Sequence, residues 1–418
     1  MPDAPGLSPR AAGPPRIAFI GLDRQLHVVP VQGGAAARVT WSQKVGGLAA
    51  LPGTRTPDGC TWPCWSPDGR WLAAFRTEVD GVGAQGCLFV AEVGGVRERE
   101  LFRQPDEHPI YARWSPDGRN LALLCQHQEE LLLYTVDVAS GRHRLVEHGV
   151  PLFFCWTPDG TGLLVHCGAA KGPGRLVHRV VVGPGEDAVF PVAPGSFCAP
   201  VVLPGAPPRV LFATAAPGGV SHVCTADLDG ERLRHVASLR GLLALVPDPE
   251  GRRVAIGCAP GGEATPYDGI WLADLEGGPL HQISAHANMA FFWADGGRAL
   301  VYAAAHRASG CVRWYRCRPG ALDPSDSVEQ ELLPSWPTRD QVFLLHFFDQ
   351  FAGSHGLLDP DGRWLLVASW PDPAASPDRG PGARTPRILR VDLSLDDPEA
   401  VVLAQGSLAI FGPPAPAG

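Results

Sequence analysis

The sequence predicts an all-β chain closed into a β-propeller of four-stranded blades, and three observations carry that prediction. The first is a phrase that returns along the chain: an apolar run ending in Trp, a tight Pro-Asp-Gly turn, and a second apolar run. Its clearest copy is Trp65-Ser66-Pro67-Asp68-Gly69-Arg70-Trp71. The second is the spacing from turn to turn, roughly 40–50 residues, which is the period of a propeller blade. The third is that the first unit is one strand short while a spare strand ends the chain. Joined, the two complete a blade and leave no open edge.

The phrase makes a hairpin for local reasons. Pro presets φ for the second position of a β-turn, Asp bonds its own downstream backbone, and Gly accepts positive φ. It returns as Trp114-Ser115-Pro116-Asp117-Gly118 and as Trp156-Thr157-Pro158-Asp159-Gly160. Weaker copies are Pro247-Asp248-Pro249-Glu250-Gly251, Trp293-Ala294-Asp295-Gly296-Gly297 and Asp359-Pro360-Asp361-Gly362. Recurrence at equivalent positions marks Trp65, Asp68, Gly69, Trp114, Asp117, Gly118, Trp156, Asp159, Gly160, Asp361 and Gly362 as structural. The flat Trp is expected between neighbouring sheets, with its indole N–H on a partner.

Taken in order, residues 1–15 read as a loose tail, 16–411 as a single propeller and 412–418 as a Pro-rich tail. The first unit holds strands at 16–20, 25–29 and 37–40. Full units follow at about 60–103, 108–147 and 150–192. The unit at 195–239 has lost the phrase, with Pro204-Gly205-Ala206-Pro207-Pro208 in its place. Further units span about 241–284, 286–336 and 340–405, the last with a Pro/Gly/Ser/Arg insert near 371–385 that reads as a mobile loop. Residues 407–411 are the spare strand. The count is eight blades, or seven if 195–239 or 340–405 is not a blade of its own. No 3.6-residue period competes, so no helix is expected.

Composition narrows the function. A hydrophobic share of 45% is too high for a disordered chain, and 50 Gly with 43 Pro suit a turn-rich one. The formal charge of −8 argues against a nucleic-acid partner. No apolar run approaches the ~20 residues that span a bilayer, so membrane insertion is not expected. Met1-Pro2-Asp3-Ala4-Pro5-Gly6 lacks the charged start and apolar core of a secretory leader, and the expected setting is cytoplasmic. The 11 Cys are scattered in strand-like runs, and the closest pairs, Cys60/Cys64 and Cys311/Cys317, lack Cys-x-x-Cys spacing. Neither a metal nor another cofactor is expected.

The phrase, Trp65-Ser66-Pro67-Asp68-Gly69 and Trp114-Ser115-Pro116-Asp117-Gly118 above all, resembles the TolB-type propeller repeats. These occur in TolB, in tricorn protease and in the propeller domains of dipeptidyl and prolyl oligopeptidases. The resemblance covers about 16–411 and speaks to fold rather than function. In the peptidase relatives a Gly-x-Ser-x-Gly elbow carries the nucleophile. Here Gly353-Ser354-His355-Gly356 is one residue short and precedes a strand, so no catalytic residue is assigned.

One stretch breaks the repeat's own rule. Before the last turn phrase stands His346-Phe347-Phe348-Asp349-Gln350-Phe351-Ala352-Gly353-Ser354-His355, where other units are mostly apolar. First strands line a propeller's channel, so Asp349, Gln350, Ser354 and His355 are expected at its wall, needing partners, water or a ligand. His346, Tyr111 and Arg113 are further candidates, although an inter-blade salt bridge is an equal expectation for Arg113. The leading function is a non-catalytic propeller, monomeric, binding a protein, peptide or small ligand at the channel mouth. One rival is a metal-assisted lyase or hydrolase. Oligogalacturonate lyases are similar propellers with a metal on His and Gln near a Ser-His pair, which Gln350 and Ser354-His355 match in part. A second rival is a propeller subunit of a peptidase or transport assembly.

Overall fold

Each full copy of the turn phrase closes with the same hydrogen bonds, and the sheets are built outward from them. The Ser66 N–H donates to Trp71 O and the Gly69 N–H to Ser66 O, both at 2.9 Å. The Asp68 carboxylate accepts from Ser66 Oγ (2.6 Å) and the Arg70 N–H (3.0 Å). Asp117 does the same for Ser115 and Arg119, and Asp159 for Thr157 and Thr161. Gly69, Gly118 and Gly160 hold φ of 65°, 70° and 71°, where a side chain would be strained. In the last copy the carboxylate that receives a backbone N–H is Asp359, from Trp364 at 2.6 Å, while Asp361 is exposed. The expectation for Asp361 is corrected on this point. Asp359 stands where the other copies have Ser or Thr, so its longer reach does their work.

The structure is a computed structural model that describes residues 15–40, 59–79, 84–168, 174–195, 198–261, 266–306, 309–321, 323–372 and 385–413. Most of the two expected tails and of the expected mobile insert lies outside the described residues. Within them the strands form five separate four-stranded antiparallel sheets and one of ten strands. The five cover 59–102, 108–149, 152–189, 201–240 and 242–284. In each the first strand in sequence stands at one end, and successive first strands adjoin one another around the ring. The fold is a β-propeller. No helix among the described residues is long and apolar enough to cross a membrane, and all eleven cysteines are buried, with no disulfide among them.

The repeat Trp ties neighbouring sheets together. Trp114 Nε1 donates to Cys64 O (3.0 Å), Trp156 Nε1 to Arg113 O (3.1 Å) and Trp293 Nε1 to Val246 O (2.9 Å). Each acceptor lies at the end of the preceding sheet's first strand. Trp65 has no such partner, and its Nε1 is buried without one among the described residues.

The ten-stranded sheet joins the end of the chain to its beginning. Its last strand, Ala400–Phe411, serves two neighbours. Up to Gln405 it pairs with Arg387–Asp392; beyond, Leu408, Ala409, Ile410 and Phe411 pair with Ile20, Phe19, Ala18 and Ile17. The spare strand thus completes the first unit, as the sequence implies.

The expectation of no helix is overturned at the last unit. A helix α1 (Arg339–His346) and a single turn α2 (Phe348–Phe351) stand where a first strand is expected. The cause is legible in retrospect. Thr338 Oγ1 accepts from the Gln341 N–H at 3.1 Å as an N-cap, and Asp340 lies in the first turn. Gln341, Leu344, Leu345 and Phe348 are three and four apart and all buried, one stripe of a helix. Gln341 also replaces part of the missing strand, its Oε1 accepting from the Ala368 N–H at 3.1 Å. That bond satisfies an edge amide of the Trp364–Trp370 strand.

Candidate functional site

The two helices and the turn after them lie on the axis of the ring. A segment that touches first strands all the way round can lie nowhere else. Phe348, fully buried, packs on Phe291 (4.7 Å between ring centroids), Phe292 (5.8 Å) and Tyr267 (6.0 Å). Phe351 stacks on Trp62 at 5.1 Å and meets Tyr111 edge-on at 4.9 Å. Each aromatic pair adds about 0.5–1.5 kcal/mol beyond its buried area. To reach the axis, Trp62 sits at φ 53°, inside a register shift between Thr61 and Cys64.

The polar candidates pin this plug to the wall. Gln350 Oε1 accepts from the Phe154 N–H (3.1 Å) and its Nε2 donates to Phe154 O (2.9 Å), so the amide pairs with the strand edge as another strand would. Asp349 accepts from the Ala199 N–H (3.3 Å) and the Gln350 N–H (3.0 Å). Burial pushes its carboxyl up to about 6, partly offset by those backbone donors. Tyr111 Oη donates to Gln350 O (3.1 Å) and lies 2.8 Å from Ser354 Oγ, which is 2.8 Å from His355 Nδ1. His355 is buried among Trp62, Tyr111 and Phe351, and its Nε2 has no partner among the described residues. Burial first, then the nearby Arg113 charge, brings the imidazole down to about 3.

Above the plug, on the face where the turn phrases gather, a depression of about 520 Å³ opens at the channel mouth. Pro67, Pro116, Pro158, Pro360 and Pro413 ring it, and Trp65, Trp114 and Trp156 form its walls. Ala352, Gly353 and Ser354 make the floor. A second cavity of about 210 Å³ reaches toward Asp349 and Gln350. Arg113 lines both.

The structure therefore brings Asp349, Gln350, Ser354, His355, Tyr111 and Arg113 to the upper part of the channel, on a plug rather than a strand. His346 is not with them; it lies on the last turn of α1, edge-on to Phe347, and lines neither cavity. Sequence reasoning missed Trp62, Phe351, Ala352 and Gly353. The doublet Ala352-Gly353, small residues beside polar ones, was the available signal for a floor.

No protein-family model matches the chain, and no curated protein does. Solved structures do match. A eukaryotic initiation factor aligns over 96% of this chain and 99% of its own, at 10% identity and a TM-score of 0.52. A prolyl endopeptidase aligns over 86% of this chain at 12% identity and a TM-score of 0.54. TolB from Acinetobacter baumannii aligns over 76% of this chain at 12% identity and a TM-score of 0.40. The likeness is one of fold. The chain spans 63% of the TolB chain and 50% of the prolyl endopeptidase chain. An initiation factor and a peptidase sharing one architecture leave function to be argued from the site.

Proposed function

We propose that this chain is a binding propeller without chemistry of its own, holding a protein segment, peptide or small ligand at the turn-phrase mouth of its channel. The observation that carries this reading is the mouth itself: a depression of about 520 Å³ with Trp and Pro walls above the part of the channel that α1 and α2 occupy. Mostly apolar concavities with a few placed polar groups are where ligands sit. Because the plug fills the axis, a ligand rests on the floor at Ala352–Ser354 rather than threading through.

The polar groups below the floor favour binding over catalysis. Ser354 and His355 are in hydrogen-bond contact, yet a general base works best with a pKa near ambient pH, and His355 is held near 3. An imidazolium formed there would be buried close to Arg113, with no partner on Nε2 among the described residues to stabilise it. The metal-assisted reading fares no better. The Gln350 oxygen is taken by the Phe154 N–H and His355 Nδ1 by Ser354. Among the described residues no three of His, Cys, Asp and Glu gather as a ligand set.

Ala352 lines both cavities and is exposed, so a large side chain there fills the mouth without entering the core. A library of short peptides and metabolites screened by melting-temperature shift should yield compounds that stabilise the wild type and not Ala352→Trp. Compounds acting equally on both proteins, or none acting on the wild type, would contradict the reading.

A further inference from the structure

We infer that the mouth recognises its ligand by a single carboxylate, gripped by Arg113, with the Trp and Pro walls taking an apolar body. The inference deepens the binding reading above and rests on it.

The first ground is the repeat's own comparison. The residue before the phrase Trp is Cys64, Cys155 or Phe292 in the sister units, all buried; at the second copy it is Arg113. A charge at a position that the repeat otherwise fills with apolar groups needs a reason. The inter-blade ion pair expected from sequence is not that reason. Arg113 makes no hydrogen bond or ion pair with its side chain among the described residues. Asp349, the carboxylate that lines the smaller cavity with Arg113, accepts from two backbone N–H groups instead.

The second ground is preorganisation. A Cβ on Gly353 would lie 2.5 Å from Arg113 Nη2 and 2.7 Å from Cζ, so the guanidinium lies against the bare backbone of the floor. Its backbone carbonyl is held by Trp156 Nε1 at 3.1 Å. A planar fork of five donors, lying against the floor and unspent among the described residues, matches the two oxygens of a carboxylate.

The third ground is charge. Among the described residues the lining of the larger cavity contains no Asp or Glu, and Arg113 is its one charged side chain. One cation among Trp and Pro suits one anionic group on an apolar body, not a polyanion. The net charge of −8 opposes this only at long range, where salt screens beyond about 10 Å.

Two sources carry that chemistry: the C-terminal carboxylate of a peptide and a free aliphatic or aromatic carboxylic acid. The test uses two acid/amide pairs, acetyl-Ala-Leu-Phe with its C-terminal amide and 4-phenylbutyrate with its amide. Each is titrated calorimetrically into wild type, Arg113→Gln, Arg113→Lys and Ala352→Trp. A charge-assisted fork predicts that an acid binds wild type about ten- to hundred-fold more tightly than its amide. Arg113→Gln should erase that ratio while leaving amide binding in place, and Arg113→Lys should restore part of it. Preference confined to the peptide acid assigns a peptide C-terminus; preference for both acids assigns a small carboxylate. Equal binding of acid and amide to wild type, or an acid preference that survives in Arg113→Gln, overturns the inference. So does failure of both acids to bind while the screen still yields ligands lost in Ala352→Trp, and in that case the binding reading stands. Failure of both acids together with an empty screen removes both.

Discussion

The turn phrase at 114–120 and the plug at 338–356 occupy neighbouring parts of the same channel, yet they are built on opposite principles. The phrase is local: Ser115, Asp117, Gly118 and Asn120 satisfy one another within six residues, and two sister copies do the same. The plug is non-local. Gln350 bonds Phe154, 196 residues away, and Tyr111 bonds Gln350 and Ser354, 239 and 243 residues away. Where the repeat is faithful, its residues hold the scaffold. Where it departs, the scaffold's own groups are bent to hold a floor.

The largest effect expected from this contrast is in the plug's core. Phe348→Ala should cost about 3–5 kcal/mol, the range for emptying a buried aromatic site, and Trp114→Ala a similar amount. The two should separate in mechanism. Trp114→Ala also removes a wall of the mouth, so it should weaken ligand binding beyond its effect on stability. Denaturant melts paired with titration of a mouth ligand check this. Equal losses of affinity in both variants would erase the distinction drawn between wall and plug.

Next in size is a pH effect confined to the plug. The Asp349 carboxyl, raised from 3.8 to about 6, contributes stability that is complete below about pH 4 and lost as pH rises through 6. His355, lowered from 6.5 to about 3, contributes in the other direction: its stability is present above 6.5 and lost as pH falls toward 3. Between about pH 4 and 6 the two slopes oppose and largely cancel. Asp349→Asn removes one of them. Relative to wild type it should therefore lose about 1.4 kcal/mol per pH unit on acidification through that window. Parallel stability curves for the two proteins, measured by urea unfolding at pH 6.5, 5.5 and 4.5, would show that Asp349 is not held at a raised pKa.

The smallest effect tests the faithful side of the comparison. Asp117→Ala should cost about 1 kcal/mol, a lost turn hydrogen bond, whereas Asp361→Ala should be close to neutral because Asp359 does that work. Melts that rank the two the other way would reverse the assignment of the last turn.

These cases also show what could be read from sequence. The hairpins were legible because Pro, Asp and Gly encode a turn within five residues, and the closing strand because strands were missing at one end and surplus at the other. The plug was hidden by an apolar run, Leu344-Leu345-His346-Phe347-Phe348, which fits a buried strand as well as a helix by periodicity alone. The tie-breakers, Thr338 as cap and Gln341 in the buried stripe, lay upstream of the run. The polar cluster was found as an exception to the repeat, but its contacts depend on which strands surround the axis. Arg113 and Gly353 were each visible; that one lies on the other was not.

The measurement that bears most directly on the mouth as the binding surface is ¹⁹F NMR of protein labelled with 5-fluorotryptophan. The chain has 12 Trp, and Trp65, Trp114 and Trp156 line the mouth while Trp370 and Trp271 do not. On adding a ligand from the screen, with resonances assigned by single Trp→Phe variants, the three mouth signals should shift and those of Trp370 and Trp271 should stay. Shifts at Trp370 or Trp271 with Trp65, Trp114 and Trp156 unmoved would place the ligand elsewhere and contradict the account.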